Sequence, residues 1–87
     1  MQFEYDQQKS VSNKEKHGID FEEAQALWDD VNAVELKINY VAEPRFLVIG
    51  MLEGKVWTAV ITYRGDNIRI ISVRRARKNE VRTYEND

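Results

Sequence analysis

The sequence predicts a small α+β domain in which a four-stranded antiparallel meander packs against two N-terminal helices and one C-terminal helix. A length of 87 residues suits a single domain that spans positions 1–87. Apolar residues make up 43% of the chain and charged residues 32%, which is the balance of an ordinary globular protein. The apolar spacing is helical before Asp30 and alternating after it, so a helical segment is expected to precede a strand-rich one.

Two helices are predicted in the first third of the chain. Asp6 is placed to cap a helix from about Gln7 to His17, and Gly18 supplies the left-handed residue that ends it. A second helix is expected to begin at Asp20, because Glu23 three residues later completes a capping box. The side chains of this second helix expected to face the core are Phe21, Ala24, Leu27 and Trp28.

Four strands are predicted to form the meander. Apolar and polar residues alternate from Val34 to Tyr40, which predicts a half-buried strand. Three runs rich in β-branched and aromatic residues follow, and the short glycine-containing connections between them favour hairpins and therefore antiparallel pairing. These runs are Arg45 to Leu52, Lys55 to Tyr63, and Asn67 to Val73.

Each end of the chain adds one element. Residues Phe3 to Tyr5 can form an additional N-terminal strand beside the meander. A closing helix is predicted from Arg77 to Tyr84, with Val81 and Tyr84 facing inward. The complete order is then β-α-α-β-β-β-β-α.

Several function classes are excluded by what the chain lacks. Without cysteine it forms no disulfide, no thiolate zinc site and no cysteine nucleophile. His17 is the only histidine, and the four glycines match neither a Walker loop nor a dinucleotide fingerprint, so we expect no metal and no cofactor. The N-terminus is acidic and no apolar run approaches the roughly 18 residues that span a membrane, so a cytoplasmic protein without a membrane partner is expected.

The charges are segregated along the chain, although the net charge is only -2. Between Asp20 and Glu35 there are six acidic residues and no basic one, whereas the segment from Arg64 to Arg82 holds seven basic residues against two acidic ones. Arginine dominates this basic segment, and its guanidinium matches the oxygens of phosphate, so a polyanion site is one interpretation. The other is a solvated surface with ion pairs to the acidic stretch.

The last predicted strand contains the first candidate site residue. Regular alternation would place Ile68, Ile70, Ser72 and Arg74 on one face, with Arg74 where that face emerges from the core into a polar groove. There Arg74 could steady a phosphate, or it could pair with one of the fifteen carboxylates of the chain.

The second candidate is His17, at the end of the first predicted helix beside Lys16. A helix C-terminus favours a protonated imidazole, so His17 could donate a proton near neutral pH. The alternative is a histidine that merely caps the end of its helix.

Five blocks, in order along nearly the whole chain, carry a family resemblance. They are Phe3-Glu4-Tyr5-Asp6, Asn13-Lys14-Glu15-Lys16-His17-Gly18, Phe21-Glu22-Glu23-Ala24, Arg45-Phe46-Leu47-Val48-Ile49-Gly50 and Arg69-Ile70-Ile71-Ser72-Val73-Arg74-Arg75-Ala76, followed by Glu80 and Tyr84. With these blocks the chain resembles the BrnT toxins. The resemblance implies a compact RelE-like fold and a ribonuclease toxin of a type II toxin-antitoxin pair.

The same resemblance implies the partners. A BrnT-like toxin would be a metal-independent endoribonuclease that cleaves RNA and so inhibits translation and growth. A ribbon-helix-helix antitoxin similar to BrnA would neutralise it, and the pair would bind its own operator DNA, mainly through the antitoxin.

A metal-independent ribonuclease must activate the ribose 2′-hydroxyl, stabilise the phosphorane and protonate the departing 5′-oxygen. Arg74 is the first choice for stabilising the phosphorane, with Arg64 assisting, and His17 is favoured for proton transfer over Glu80, Tyr63 and Tyr84. The residues expected to bind the substrate are Arg69, Arg75, Lys16, Tyr63 and Arg77.

Two functions without catalysis remain open from the sequence. The basic C-terminal third could hold RNA or DNA as a nucleic-acid-binding or regulatory module, with the same dependence on salt. The charge asymmetry could also serve protein contacts in a structural domain with no affinity for RNA. Turnover of RNA separates the enzyme from both.

Overall fold

The computed structural model describes residues 2–39 and 42–86 as an α+β domain with a radius of gyration of 12.3 Å. The helices are α1 (Gln7–His17), a 3₁₀ helix (Glu23–Asp29) and α2 (Lys78–Glu85). The strands are β1 (Gln2–Glu4), β2 (Val34–Ile38), β3 (Arg45–Leu52), β4 (Lys55–Arg64) and β5 (Asn67–Arg75). The predicted order of elements is confirmed.

The five strands form one sheet in the order β1-β5-β4-β3-β2. Strands β2 to β5 are antiparallel neighbours, as predicted for the meander. The N-terminal strand is also present, but β1 pairs with β5 in parallel, so the sheet is mixed rather than purely antiparallel. The β3–β4 turn has positive φ at both Glu53 (53°) and Gly54 (77°), the conformation that lets a two-residue hairpin follow the twist of its strands.

Helix α1 and the 3₁₀ helix cover one face of the sheet and enclose the main core. The buried apolar side chains of this core are Ile19, Phe21, Ala24, Leu27, Val48, Trp57, Ala59, Ile61, Ile68, Ile70 and Val73. Helix α2 lies on the other face, where Glu80 hydrogen-bonds to Thr58 and to Arg74. The sheet is therefore the middle of three layers.

The second predicted helix is a 3₁₀ helix rather than an α-helix. The predicted capping box forms, because Glu23 N donates to Asp20 Oδ1 at 2.7 Å and Asp20 N donates to Glu23 Oε1 at 2.9 Å. The fully buried residues that follow Asp20 are Phe21, Ala24 and Leu27, which are spaced three apart. A turn of three residues stacks such a series on one side, which favours the tighter helix.

Strand β2 ends at Ile38, and the predicted extension to Tyr40 lies outside the described residues. The strand is less buried than its alternation predicts, since Leu36 at its centre is 37% exposed. Among residues 2–39 and 42–86, no helix is both long and apolar enough to cross a membrane.

Candidate active site

A bulge in β5 decides where the arginines at its end point. The β4–β5 register shifts so that Ile61 lies opposite Ile70 while Val60 lies opposite Ser72. Because the neighbours Val60 and Ile61 point to opposite faces, Ile70 and Ser72 do so as well. The prediction that Arg74 shares a face with Ile70 is therefore wrong, since regular alternation is interrupted between them.

Arg74 lies instead on the face covered by α2. Its guanidinium forms a two-pronged ion pair with the buried Glu80, with Nη1–Oε1 at 2.8 Å and Nη2–Oε2 at 2.9 Å. The Thr58 hydroxyl and the Arg77 backbone N–H also donate to Glu80 Oε1, at 2.9 Å and 2.8 Å. The hydrogen bond from Arg74, together with those from the Arg77 N–H and the Thr58 hydroxyl, lowers the pKa of Glu80 to about 2. Arg74 is thus paired with an internal carboxylate, one of the two roles that the sequence left open.

A groove of about 420 Å³ lies on the opposite side of the sheet, where the end of α1 meets the β3–β4 hairpin. Arg75 reaches it because it pairs with Trp57 on the core face. The groove is lined by His17, Gly18, Ile19, Glu23, Ala26, Leu52, Glu53, Lys55, Trp57 and Arg75. Three of these side chains are basic and lie on three different elements: His17, Lys55 and Arg75.

The guanidinium of Arg75 lies over the indole ring of Trp57. Arg75 Cζ lies 5.5 Å from the ring centroid, within the range of a cation–π interaction. Trp57 is itself buried, and its Nε1–H donates to Leu52 O at 3.3 Å, which fixes the ring against the hairpin. A guanidinium in a cation–π contact can still offer N–H donors to a ligand, and these donors match two phosphate oxygens.

His17 enters the groove from the last turn of α1. Gly18 adopts a φ of 83° and its N–H donates to Lys14 O at 2.9 Å, which ends the helix at His17 as predicted. The carbonyl end of the helix dipole therefore lies beside the imidazole. Lys16 is exposed on the same turn and is not among the residues that line the groove.

Two carboxylates also line the groove. Glu23 pairs with Lys14, whose Nζ lies 2.8 Å from Oε1, and this hydrogen bond lowers the pKa of Glu23. Glu53 lies in the hairpin turn beside the groove. The groove therefore holds both signs of charge, with the carboxylate of Glu23 already occupied by a lysine.

Arg64 and Tyr63 lie at the opposite end of the sheet. Tyr63 Oη donates to Glu35 at 2.6 Å, and burial together with this bond raises the pKa of Tyr63 to about 12. Arg64 pairs with the first residue of β5. Strand β5 has nine residues, and at about 3.3 Å per residue its two ends lie roughly 26 Å apart. One phosphate cannot contact both Arg64 and Arg75.

The other basic residues have separate surroundings. Arg69 Nη1 lies 3.2 Å from Glu4 Oε1 of β1. The carboxylates that pair with Arg69 and Arg74 therefore both lie outside the acidic segment from Asp20 to Glu35. Arg77 is exposed at the N-cap of α2. The basic segment is therefore distributed over both faces and both ends of the sheet instead of forming one patch.

The structure brings together only part of the predicted site. His17 and Arg75 share the groove, whereas Arg74 lies on the other face. Lys55 and Trp57 line the groove but were not predicted. The sequence predicted the β3–β4 hairpin, and this hairpin places both residues at the start of β4. That α1 ends beside the hairpin is known only from the fold. Among residues 2–39 and 42–86 there is no cluster of three or more histidines and carboxylates that could hold a metal ion.

The sequence of this domain matches the model of a described protein family. Residues 5–80 match the family model described as the ribonuclease toxin, BrnT, of a type II toxin-antitoxin system. The match covers most of the chain and includes both His17 and Arg75, so the chain belongs to the BrnT family of ribonuclease toxins. No curated protein matches it.

Proposed function

We propose that this chain, acting as one domain over residues 1–87, is a metal-independent endoribonuclease that cleaves RNA in the groove between α1 and the β3–β4 hairpin. The observation that carries the proposal is the meeting of His17 and Arg75 in one groove. Phosphodiester cleavage without a metal ion requires both proton transfer and stabilisation of the phosphorane, and an imidazole and a guanidinium are suited to these tasks.

Arg75 would bind the scissile phosphate and stabilise the phosphorane. As the 2′-oxygen attacks phosphorus and the bond to the 5′-oxygen breaks, negative charge accumulates on the equatorial oxygens. The cation–π contact with Trp57 would hold the Arg75 guanidinium in place before the substrate arrives, so less side-chain freedom is lost on binding. Lys55 adds a second positive charge to the same groove.

His17 would donate a proton to the departing 5′-oxygen, while solvent water takes up the proton that the attacking 2′-hydroxyl loses. The other groups considered for proton transfer are poorly suited. Glu80, with a pKa of about 2, is a carboxylate at neutral pH, and it lies on α2, on the face of the sheet away from the groove. Tyr63 has a pKa near 12 and lies at the far end of the sheet. The Tyr84 hydroxyl donates to Asp30 Oδ2 at 2.6 Å.

Arg74 would act as a positioning residue in this proposal, not as a ligand of the phosphate. Its Nη1 donates to the backbone oxygen of Arg75 at 3.4 Å while it holds Glu80. The pair therefore fixes the peptide from which the Arg75 side chain projects into the groove on the other face.

The finer family properties are also part of the proposal. The partner would be a ribbon-helix-helix antitoxin similar to BrnA that covers the groove containing His17 and Arg75 in the cytoplasm, and the pair would bind operator DNA. A RelE-like arrangement of the fold remains a prediction as well. Lys55 and Arg75 in the groove support an acidic antitoxin segment as the inhibitor, since opposite charges on two partners steer their association.

The test is RNA cleavage by purified variants in buffer containing EDTA. Arg75→Ala should lower the cleavage rate about 100- to 1,000-fold, because a charge that stabilises the phosphorane is lost. His17→Ala should lower it by roughly 100-fold or more, as expected for removing a general acid. Arg82→Ala, at an exposed arginine of α2, is the matched control and should retain most of the activity.

Three results would contradict the proposal. Full activity of either groove variant with an intact fold would remove the groove from the mechanism. Loss of wild-type cleavage in EDTA, restored by a divalent ion, would contradict metal independence. RNA binding without turnover by the wild-type chain would instead favour the nucleic-acid-binding module.

A further inference from the structure

Strand β2 forms one edge of the sheet, because within residues 2–39 and 42–86 the strand order places β3 on one side of it and no strand on the other. An edge strand presents backbone N–H and C=O groups along its outer side, which another strand can pair with. The apolar side chain of Leu36, at the centre of the strand, is 37% exposed. The edge therefore offers both backbone hydrogen bonds and an apolar side chain.

The sequence of β2 is complementary to itself. Reading outward from Leu36, the neighbours are Glu35 and Lys37, which have opposite charges, and then Val34 and Ile38, which are both branched and apolar. If two copies of this strand run antiparallel with Leu36 at the centre, Glu35 of each copy lies opposite Lys37 of the other. On the opposite face of the sheet, Val34 of each copy lies opposite Ile38 of the other.

We propose that the toxin chain forms a two-fold symmetric homodimer through antiparallel pairing of β2, with Leu36 on the symmetry axis. The two sheets then form one continuous sheet across both copies. A two-fold symmetric interface requires a surface that is complementary to itself. The proposed pairing satisfies this, because each dimer contains two identical contacts between Glu35 of one copy and Lys37 of the other.

Neighbouring contacts are compatible with this pairing. The carboxylate of Glu35 accepts the Tyr63 hydroxyl at 2.6 Å through Oε1, which anchors its side chain along the face of the sheet. A carboxylate has about four acceptor positions, so Glu35 can keep this bond and also meet a lysine. The groove with His17 and Arg75 lies elsewhere, so the proposal does not depend on the proposed cleavage mechanism.

The first experiment exchanges the charges and measures self-association by analytical ultracentrifugation. Glu35→Lys or Lys37→Glu alone creates two pairs of like charges and should raise the dimer dissociation constant about tenfold or more. The double variant Glu35→Lys/Lys37→Glu restores both opposite-charge pairs and should return to within about threefold of wild type. Lys9→Glu, an equal charge change at an exposed position of α1, should have no effect.

The second experiment tests the register and does not depend on charge. The chain has no cysteine, so Leu36→Cys introduces a single thiol, which should form a disulfide between two copies under oxidised glutathione. In the proposed register the two copies of residue 34 are four positions apart, about 13 Å, so Val34→Cys should not cross-link.

Several outcomes would overturn the homodimer. A wild-type chain that stays monomeric at all concentrations tested, and pairs at β2 only with a different protein, would assign this edge to another partner. A double variant as weak as the single ones would reject the charge pairing. Equal cross-linking of Leu36→Cys and Val34→Cys would reject the register.

Discussion

The side chain of Asn13 shows how a polar residue can fasten a helix to a sheet. Its Nδ2 donates to Ile19 O and to Val73 O, both at 2.8 Å, and its Oδ1 accepts from Val73 N at 3.2 Å. Ser10, one turn earlier, is also buried and accepts from Phe21 N at 2.9 Å. The face of α1 toward the core is therefore polar, which explains why the helix has only a weak apolar stripe.

Asn13→Ala should lower the free energy of unfolding by about 2 to 4 kcal/mol, because three buried backbone groups lose their partner. Chemical denaturation of the purified chain measures this loss. Ser12→Ala, at an exposed position of the same helix, should change the stability by less than about 0.5 kcal/mol. An Asn13→Ala chain as stable as the Ser12→Ala control would mean that these bonds do not hold α1 in place.

At the scale of elements, helix α2 is attached to the sheet through polar contacts at two points. Near the start of α2, Glu80 binds Arg74 and Thr58, and near the end of α2 the Tyr84 hydroxyl donates to Asp30. The second contact lowers the pKa of Asp30, which also accepts from Met51 N at 2.8 Å. These two contacts set the position of the helix along the sheet.

The attachment at Glu80 should make stability depend on acid pH. The pKa of Glu80 is about 2 in the folded chain and near 4.5 without its partners, so its contribution is complete above about pH 4.5. The contribution should disappear as the pH falls toward 2, a loss of about 2 to 3 kcal/mol.

Glu80→Gln should therefore show a smaller fall in unfolding free energy between pH 4.5 and pH 2 than the wild type. Thermal or chemical unfolding across this range measures the difference. Glu85→Gln, at an exposed position of the same helix, should keep the wild-type slope. Parallel pH curves for the wild type and Glu80→Gln would show that the Arg74–Glu80 pair adds no acid-sensitive stability.

Most elements were predictable because each has a local signal. Asp6 and Gly18 mark both ends of α1, and the glycine turns mark the hairpins. The bulge in β5 has no such signal in Ile70-Ile71-Ser72, since every residue there fits a regular strand. That single irregularity moves Arg74 to the opposite face of the sheet. Alternation alone therefore could not show that Arg75, and not Arg74, lies on the core face.

At the scale of the whole molecule, the grouping of basic residues in the sequence does not produce one basic surface. Strand β5 carries Arg69, Arg74 and Arg75, but two of them pair with carboxylates of β1 and α2 on the face away from the main core. Arg75 remains beside His17 because α1 and β5 end at the same edge of the molecule. This juxtaposition depends on tertiary packing, so sequence spacing could not predict it.

We propose that RNA binds in the groove containing His17, Trp57 and Arg75. The most direct measurement is a nuclear magnetic resonance titration of the labelled chain with a short RNA that carries 2′-deoxy sugars, which lack the attacking hydroxyl and cannot be cleaved. The chain has one histidine, so its imidazole signals belong to His17 without ambiguity. We expect the His17 imidazole, the Trp57 indole N–H and the Arg75 guanidinium to shift together with one dissociation constant. Unchanged groove signals, with shifts confined to Arg64 and Arg69 at the far end of the sheet, would contradict the account.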